Sequence, residues 1–307
     1  MHVFSHPACF KHNPPPDTTY APKRLKAVID ALQTGCLRGL TWREAPALKP
    51  EELHLVHTPE YVAEVLRPIA AGEKRILAAD TIAVNGTAEA ALYAAGAVMT
   101  ATSEVMSGSI QKAFCIVSPG GHHAEADAAG GFCFFNHVAL AAISAQKKMG
   151  AVRIAVVDFD AHHGNGTQSL FWNFEDRLYI SLHEETSLSG FANEKGAWNN
   201  IVNIPLPPKS SGDVLRKAFE EKIVPKLAAF KPDILFVSAG FDMHMNDPMS
   251  SLQLATEDYC WLGERLRECA DKLCKGRLVA VLEGGYNLEV LGNCVAEFVK
   301  GLEDGKR

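Results

Sequence analysis

Between Ile154 and Gln168 the chain reads IAVVDFDAHHGNGTQ, placing Asp158, Asp160 and His162 at every second position. In an extended strand that spacing turns all three side chains to one face. Two carboxylates on one face repel unless positive charge sits between or beside them. Further along, Phe241-Asp242 brings another carboxylate. Asp160, His162 and Asp242 together offer two oxygens and one imidazole, a donor set that fits a catalytic Zn²⁺ with an open position, and Fe²⁺ uses similar ligands. Asp158 is then left to orient a histidine from behind.

His122 and His123 follow a Pro-Gly-Gly turn, and a tandem of histidines on a loop has no packing role of its own. Histidine can take a proton from water and return one to a leaving amine near neutral pH. Each ring needs a partner to fix its tautomer: Asp158 serves one, and Asn165, on the glycine turn GNG, the other. Tyr286 follows Glu283-Gly284-Gly285, where glycines allow close approach and a tyrosine hydroxyl beside a metal stabilises an oxyanion. The set describes metal-assisted hydrolysis of an amide or ester. The run Gly131-Phe132-Cys133-Phe134-Phe135 reads as core, except that Phe132 is a candidate to line a narrow tunnel for an alkyl chain.

Apolar, β-rich runs recur at His2–Ser5, Leu53–His57, Ala113–Ser118, Ile154–Phe159, Leu178–His183, Ile201–Leu206, Ile234–Ala239 and Leu278–Glu283. Several are almost continuously apolar, as in parallel strands covered on both faces. Helical periodicity separates them at Pro22–Leu32, Thr87–Met106, Phe135–Lys148, Asp213–Phe230 and Thr256–Lys275. The alternation predicts a single α/β domain over residues 1–307, a central, mostly parallel sheet of about eight strands flanked by helices. SPGGHH, DFDAHH, SAGFD and LEGGY all follow strand candidates, and the carboxyl edge of a parallel sheet is where ligands bind. Asn13–Pro22 and Glu184–Asn200 are expected to be surface loops.

The chain has 307 residues, 47% hydrophobic and 21% charged, an ordinary composition for a globular domain. A net charge of −6 and pI near 6.1 argue against nucleic-acid binding and tolerate a cationic substrate. Eight scattered cysteines without a C-x-x-C pair suggest reduced thiols. With neither a signal-peptide pattern nor a run of about 18 apolar residues, a cytoplasmic protein without a membrane partner is expected.

SPGGHHAEADAAGGFCFFNHVALAA, VVDFDAHHGNGTQSLFW, ISLH, VSAGFDMHMNDPM and LEGGYN, spread over Ser118 to Asn287, resemble the histone deacetylase superfamily, most of all its class II and bacterial amidohydrolase members. HTPEYV at His57 and APKRL at Ala21 add weaker similarity. The resemblance implies an arginase/deacetylase fold with Asp160, His162 and Asp242 as zinc ligands. It implies His122 and His123 as the catalytic pair, His123 the general base, with Asp158 and Asn165 their partners, and Tyr286 polarising the scissile carbonyl. A structural K⁺ is implied at Asp158, Ser181 and the backbone oxygens of Asp160, His162 and Leu182. Gly131 and Phe132 match the acyl-lysine tunnel and Arg24 an arginine of the inner cavity, while Asp80 or Thr81 stands where some members clamp substrate backbone.

The chain departs from the pattern in three places. Ser118 replaces an arginine, Thr18-Thr19-Tyr20 replaces HPE, and Leu188 in SLSGFANEKG stands where a second tunnel aromatic is usual. The substrate implied is an acyl-lysine protein or peptide, with a small acetylated amine such as a polyamine as the alternative. A polyamine enzyme needs a carboxylate at the tunnel mouth. Here Met249 follows Asp247-Pro248, although Glu184 and Glu185 could supply acid from another loop. An arginase-like dinuclear centre would need a second aspartate where Gly164 stands, and a non-catalytic binding module would not need His122, His123 and Tyr286. Oligomeric state is not legible in the sequence.

Overall fold

The computed structural model describes residues 1–15, 19–35, 37, 39–185 and 190–303. Eight strands form one sheet: β1 His2–Phe4, β2 Thr41–Arg43, β5 Lys112–Cys115, β6 Ile154–Asp158, β7 Arg177–Glu184, β8 Ile201–Leu206, β9 Ile234–Ala239 and β10 Leu278–Leu282. Their spatial order is β2-β1-β5-β10-β9-β6-β7-β8, and every neighbouring pair is parallel. Two further strands, β3 Lys74–Ala78 and β4 Thr81–Val84, pair antiparallel as a separate hairpin. β6, β9 and β10 are buried along their whole length, which is why they read as unbroken apolar runs rather than alternating ones.

Nine α-helices surround the sheet among the described residues: α1 Lys23–Thr34, α2 Pro59–Leu66, α3 Thr87–Ser107, α4 His137–Met149, α5 Asn165–Phe171, α6 Gly212–Ala218, α7 Val224–Phe230, α8 Thr256–Cys274 and α9 Leu288–Leu302. The region read as one helix from Asp213 to Phe230 is α6 and α7 joined through a π-helical turn at Phe219–Ile223, with Pro225 in the first turn of α7. Proline there lacks the N–H that a continuing α-helix would use.

Leu53–His57 is not a strand. Pro50–Leu55 is a 3-10 helix, started by a proline at its first position, where its fixed φ suits a helical turn. The expected strand count holds because β2, only three residues long, occupies the sheet edge instead.

The middle four strands, β5, β10, β9 and β6, are those followed by SPGGHH, LEGGY, GFD and DFDAHH. In register, Asp158 pairs with Ser238 on one side and Ser181 on the other; Ser238 pairs with Val281, and Val281 with Cys115. Four strands thus end at one level, and the four loops leave the sheet side by side.

Candidate active site

Asp160, His162 and Asp242 each place a ligand atom within 4.8 Å of the others. His162 Nδ1 lies 3.0 Å from Asp160 Oδ1 and 3.0 Å from Asp242 Oδ2. Backbone N–H groups fix the carboxylates: Gly284 donates to Asp160 Oδ2 at 2.7 Å, and Ala161 to Asp242 Oδ1 at 2.8 Å. A Cβ on Gly284 would overlap Oδ2 of both aspartates, so glycine is what lets β10 close over them. Burial and the charge of Asp160 push Asp242 up to about 7. Burial would lower His162, but hydrogen bonds to the two aspartates push it up to about 11. Paired carboxylates that draw positive charge to a buried point, presenting oxygen and imidazole donors, fit a divalent ion.

The histidine pair adjoins this cluster. The His122 and His123 ring centroids are 4.0 Å apart, and His123 is 6.3 Å from His162. His122 Nδ1 meets Asp158 Oδ2 at 3.0 Å, and His123 Nδ1 meets Asn165 Oδ1 at 2.8 Å. Both expected partnerships are therefore present. Burial would lower His122, yet the charges of Asp158, Asp160 and Glu283 push it up to about 10. Burial also raises Asp158. His123 goes the opposite way: burial and the His122 charge hold it well below the usual histidine range. The two neighbouring rings are thus pushed in opposite directions.

Tyr286 follows β10, and the Phe132 ring stands 6.1 Å from it. Enclosure and the charges of Asp160 and Asp242 hold its hydroxyl well above the usual tyrosine range, so it remains a donor. Gly131 (φ 53°) and Phe132 (φ 64°) both have left-handed backbone, unusual for phenylalanine. A Cβ on Gly131 would run into the His123 ring. The hairpin tip secures this wall: Gly131 N donates to Asp80 Oδ1 at 3.1 Å and Phe132 N to Thr81 Oγ1 at 3.0 Å. Asp80 and Thr81 thus hold the chain's own Gly-Phe wall. Arg24, buried on α1, donates to the carbonyls of Gly285 and Glu283, its Cζ 5.0 Å from the Tyr286 ring centroid. Met249 N is held by Asp247 Oδ1 at 3.0 Å. Leu188 lies outside the described residues.

Ser181 is in register with Asp158, and its hydroxyl meets His183 Nδ1 at 2.9 Å. Leu182 follows on the same strand, and Glu184 N donates to Ala161 O at 2.8 Å, drawing the end of β7 against the Asp160–His162 loop.

Four residues went unflagged. Tyr179 Oη donates to Asp158 Oδ2 at 2.9 Å and accepts from Gly164 N at 3.0 Å; two residues before Ser181 on β7, it shares that face, a signal legible in LYISLH. Asp247 Oδ2 accepts from Tyr286 N at 2.7 Å and Asn287 N at 3.1 Å. Glu283 accepts from Gly121 N at 2.8 Å, fixing the turn before the histidines. Glu125 accepts from Asn165 Nδ2 at 2.7 Å. The last three act through tertiary contacts that no local spacing announces. Gly164 is tighter than its sequence context suggests: a Cβ there would overlap Asp158 Oδ2 and Tyr179 Oη, so a ligating aspartate could not occupy it without rearrangement.

Fold and site define a class of α/β proteins that gather three side chains able to hold a metal ion and a histidine pair at the carboxyl edge of a parallel sheet. The histone deacetylase domain model matches residues 18–302, and the chain belongs to that family. Histone deacetylase 10, chloroplastic, of Oryza sativa subsp. japonica is 37% identical over 297 residues, covering 90% of this chain and 67% of that protein. The histone deacetylase-like amidohydrolase of Pseudomonas aeruginosa is 32% identical over 311 residues, covering 98% and 80%. The crystal structure of an acetylpolyamine aminohydrolase from Burkholderia pseudomallei superposes with a TM-score of 0.85 at 28% identity, covering 98% of each chain. The chain is accordingly a hydrolase of the deacetylase family, and that membership implies a catalytic metal, typically zinc. Among the described residues no helix is long and apolar enough to cross a membrane.

Proposed function

We propose that the protein removes acetyl or related acyl groups from the ε-nitrogen of lysine in proteins or peptides. The observation that carries this reading is the union, at one sheet edge, of three side chains that could hold a metal ion with a histidine pair, its ring centroids 4.0 Å apart, whose Nδ1 atoms are held by Asp158 and Asn165. Asp160, His162 and Asp242 hold one divalent ion, zinc in the first instance, with Fe²⁺ an alternative occupant. Bound there, it supplies Lewis acidity toward a carbonyl oxygen and a water. His123 Nε2 takes the proton of the attacking water. The tetrahedral oxyanion accepts a hydrogen bond from Tyr286. The histidine pair then returns a proton to the departing lysine nitrogen, leaving acetate and the free amine. Asp158, Ser181 and the main-chain oxygens of Asp160, His162 and Leu182 hold a K⁺ behind the site. Gly131, Phe132 and Met249 line the way in, and Arg24 lies at its inner end.

The solved acetylpolyamine aminohydrolase of similar fold favours the alternative, a small acetylated amine. That substrate needs a free carboxylate at the mouth to hold its second ammonium. Glu184 is engaged with the Ser251 N–H and hydroxyl, while Glu185 is exposed. Hydrolysis of an acetyl-lysine peptide by the zinc-loaded protein tests the proposal. His123→Ala and Tyr286→Phe should each lower kcat by roughly 100-fold or more; undiminished turnover in either would contradict the assigned roles.

A further inference from the structure

Asn165 is an amide where a carboxylate would serve the same histidine. A carboxylate presents an acceptor whichever way it rotates, whereas an amide has two faces, one accepting and one donating. Which face meets His123 decides where the ring carries its proton. With Asn165 Oδ1 toward the ring, Nδ1 must donate and Nε2 keeps a free lone pair. With the amide turned over, its NH₂ faces Nδ1, the proton moves to Nε2, and the ring can no longer accept from that atom.

The contacts around the amide choose between the two. Asn165 Nδ2 donates to Glu125 Oε1 at 2.7 Å, and only weakly, at 3.4 Å, to His123 O. A carboxylate accepts and never donates when ionised, so Glu125 admits only the orientation in which Nδ2 faces it and Oδ1 faces His123, 2.8 Å from Nδ1. Glu125 is itself anchored: its N–H donates to Ala128 O at 2.9 Å, and its carbonyl accepts from His57 Nδ1 at 2.8 Å. Asn165 opens α5, with its N–H donating to His163 O at 3.0 Å.

We infer that Glu125 is a positioning residue that orients the Asn165 amide and so keeps His123 in the tautomer protonated at Nδ1, with Nε2 free to accept. The inference rests on the base role proposed for His123. Without Glu125, the long contact to His123 O is the remaining hold on Nδ2. Gln at position 125 still has a carbonyl oxygen to offer Asn165, so the orienting effect requires an acceptor and not a charge.

The test uses the full chain loaded with zinc and labelled with ¹⁵N-histidine. Long-range ¹H–¹⁵N spectra report the tautomer, the His123 signals being identified by their loss in His123→Ala. Glu125→Ala should shift His123 toward the Nε2-protonated form and lower kcat about 10- to 100-fold, with KM changed less than about twofold. Glu125→Gln should keep the wild-type tautomer and a kcat within about threefold, which also shows that the variant folds. An unchanged His123 tautomer in Glu125→Ala, whatever its activity, overturns the inference, as does a Glu125→Gln protein that behaves like Glu125→Ala. Full activity in His123→Ala would overturn the base assignment instead, and the spectrum separates that failure from failure of the Glu125 role.

Discussion

The Asp247 carboxylate, on the loop after β9, accepts the backbone N–H of Tyr286 at 2.7 Å and so fixes the main chain that carries the Tyr286 hydroxyl. The same oxygen accepts from Asn287 N, and the other holds Met249 N. Asp247→Ala leaves these N–H groups without a protein acceptor, at a cost of about 1–3 kcal/mol for each one buried, and frees Tyr286 to drift. A kcat loss of roughly 10-fold or more, larger than the change in KM, is expected from steady-state kinetics. A KM effect alone would place Asp247 in substrate binding instead.

Tyr179 donates to the same Asp158 oxygen, Oδ2, that His122 Nδ1 meets. Tyr179→Phe removes the hydroxyl that joins Asp158 Oδ2 to Gly164 N, and partners behind catalytic groups of this kind are worth roughly 10- to 100-fold in activity or metal affinity. Denaturant melts should show a loss of about 1–2 kcal/mol alongside the kinetic defect. Wild-type activity and stability in Tyr179→Phe would show that Asp158 is held without it.

Asp242 sits opposite Asp160 across His162 Nδ1, so truncating it should cost the metal rather than the fold. Chelation should abolish turnover and lower Tm, and zinc should restore both, because a ligand bound only by the native state stabilises it. In Asp242→Ala the zinc-dependent rise in Tm should vanish. A full rise in that variant would locate the ion elsewhere.

Three buried histidines away from the metal-ligand cluster set an acid limit on stability. Burial pushes His12, His57 and His137 each down to about 4, and His57 Nε2 is already accepting from Asn136 N at 3.0 Å. An unfolded histidine titrates near 6.5, so between about 6.5 and 4 the unfolded chain binds protons that the native one refuses. The contribution of these three histidines is therefore complete above about 6.5 and falls as pH drops toward 4, each adding a slope of up to about 1.4 kcal/mol per pH unit. Urea midpoints should fall between pH 7 and pH 5.5, less steeply in His57→Gln. A flat profile over that interval would show that these rings protonate in place.

The sheet was legible because its central strands are buried on both faces, so Ile154–Asp158 and Leu278–Leu282 appear as unbroken apolar runs. Leu53–His57 misled because an apolar run does not distinguish a strand from a helical turn, and Pro50 decided for the turn. α9, Leu288–Leu302, and α2, Pro59–Leu66, escaped notice although both carry clear apolar faces. At the site, the grouping of His122, His123, Asp160, His162 and Asp242 was legible from their spacing after strand ends. Asp247, Glu283 and Glu125 did not, since an isolated acid on a loop becomes a positioning group only when the fold brings a backbone N–H or an amide to it.

The most direct test is a side-by-side comparison of kcat/KM for the zinc-loaded protein on an acetyl-lysine peptide and on acetylspermidine. The account predicts that the peptide is the better substrate by at least about tenfold, a difference of about 1.4 kcal/mol in transition-state stabilisation. A preference of that size for acetylspermidine would contradict the proposed acyl-lysine substrate and make the protein a polyamine deacetylase.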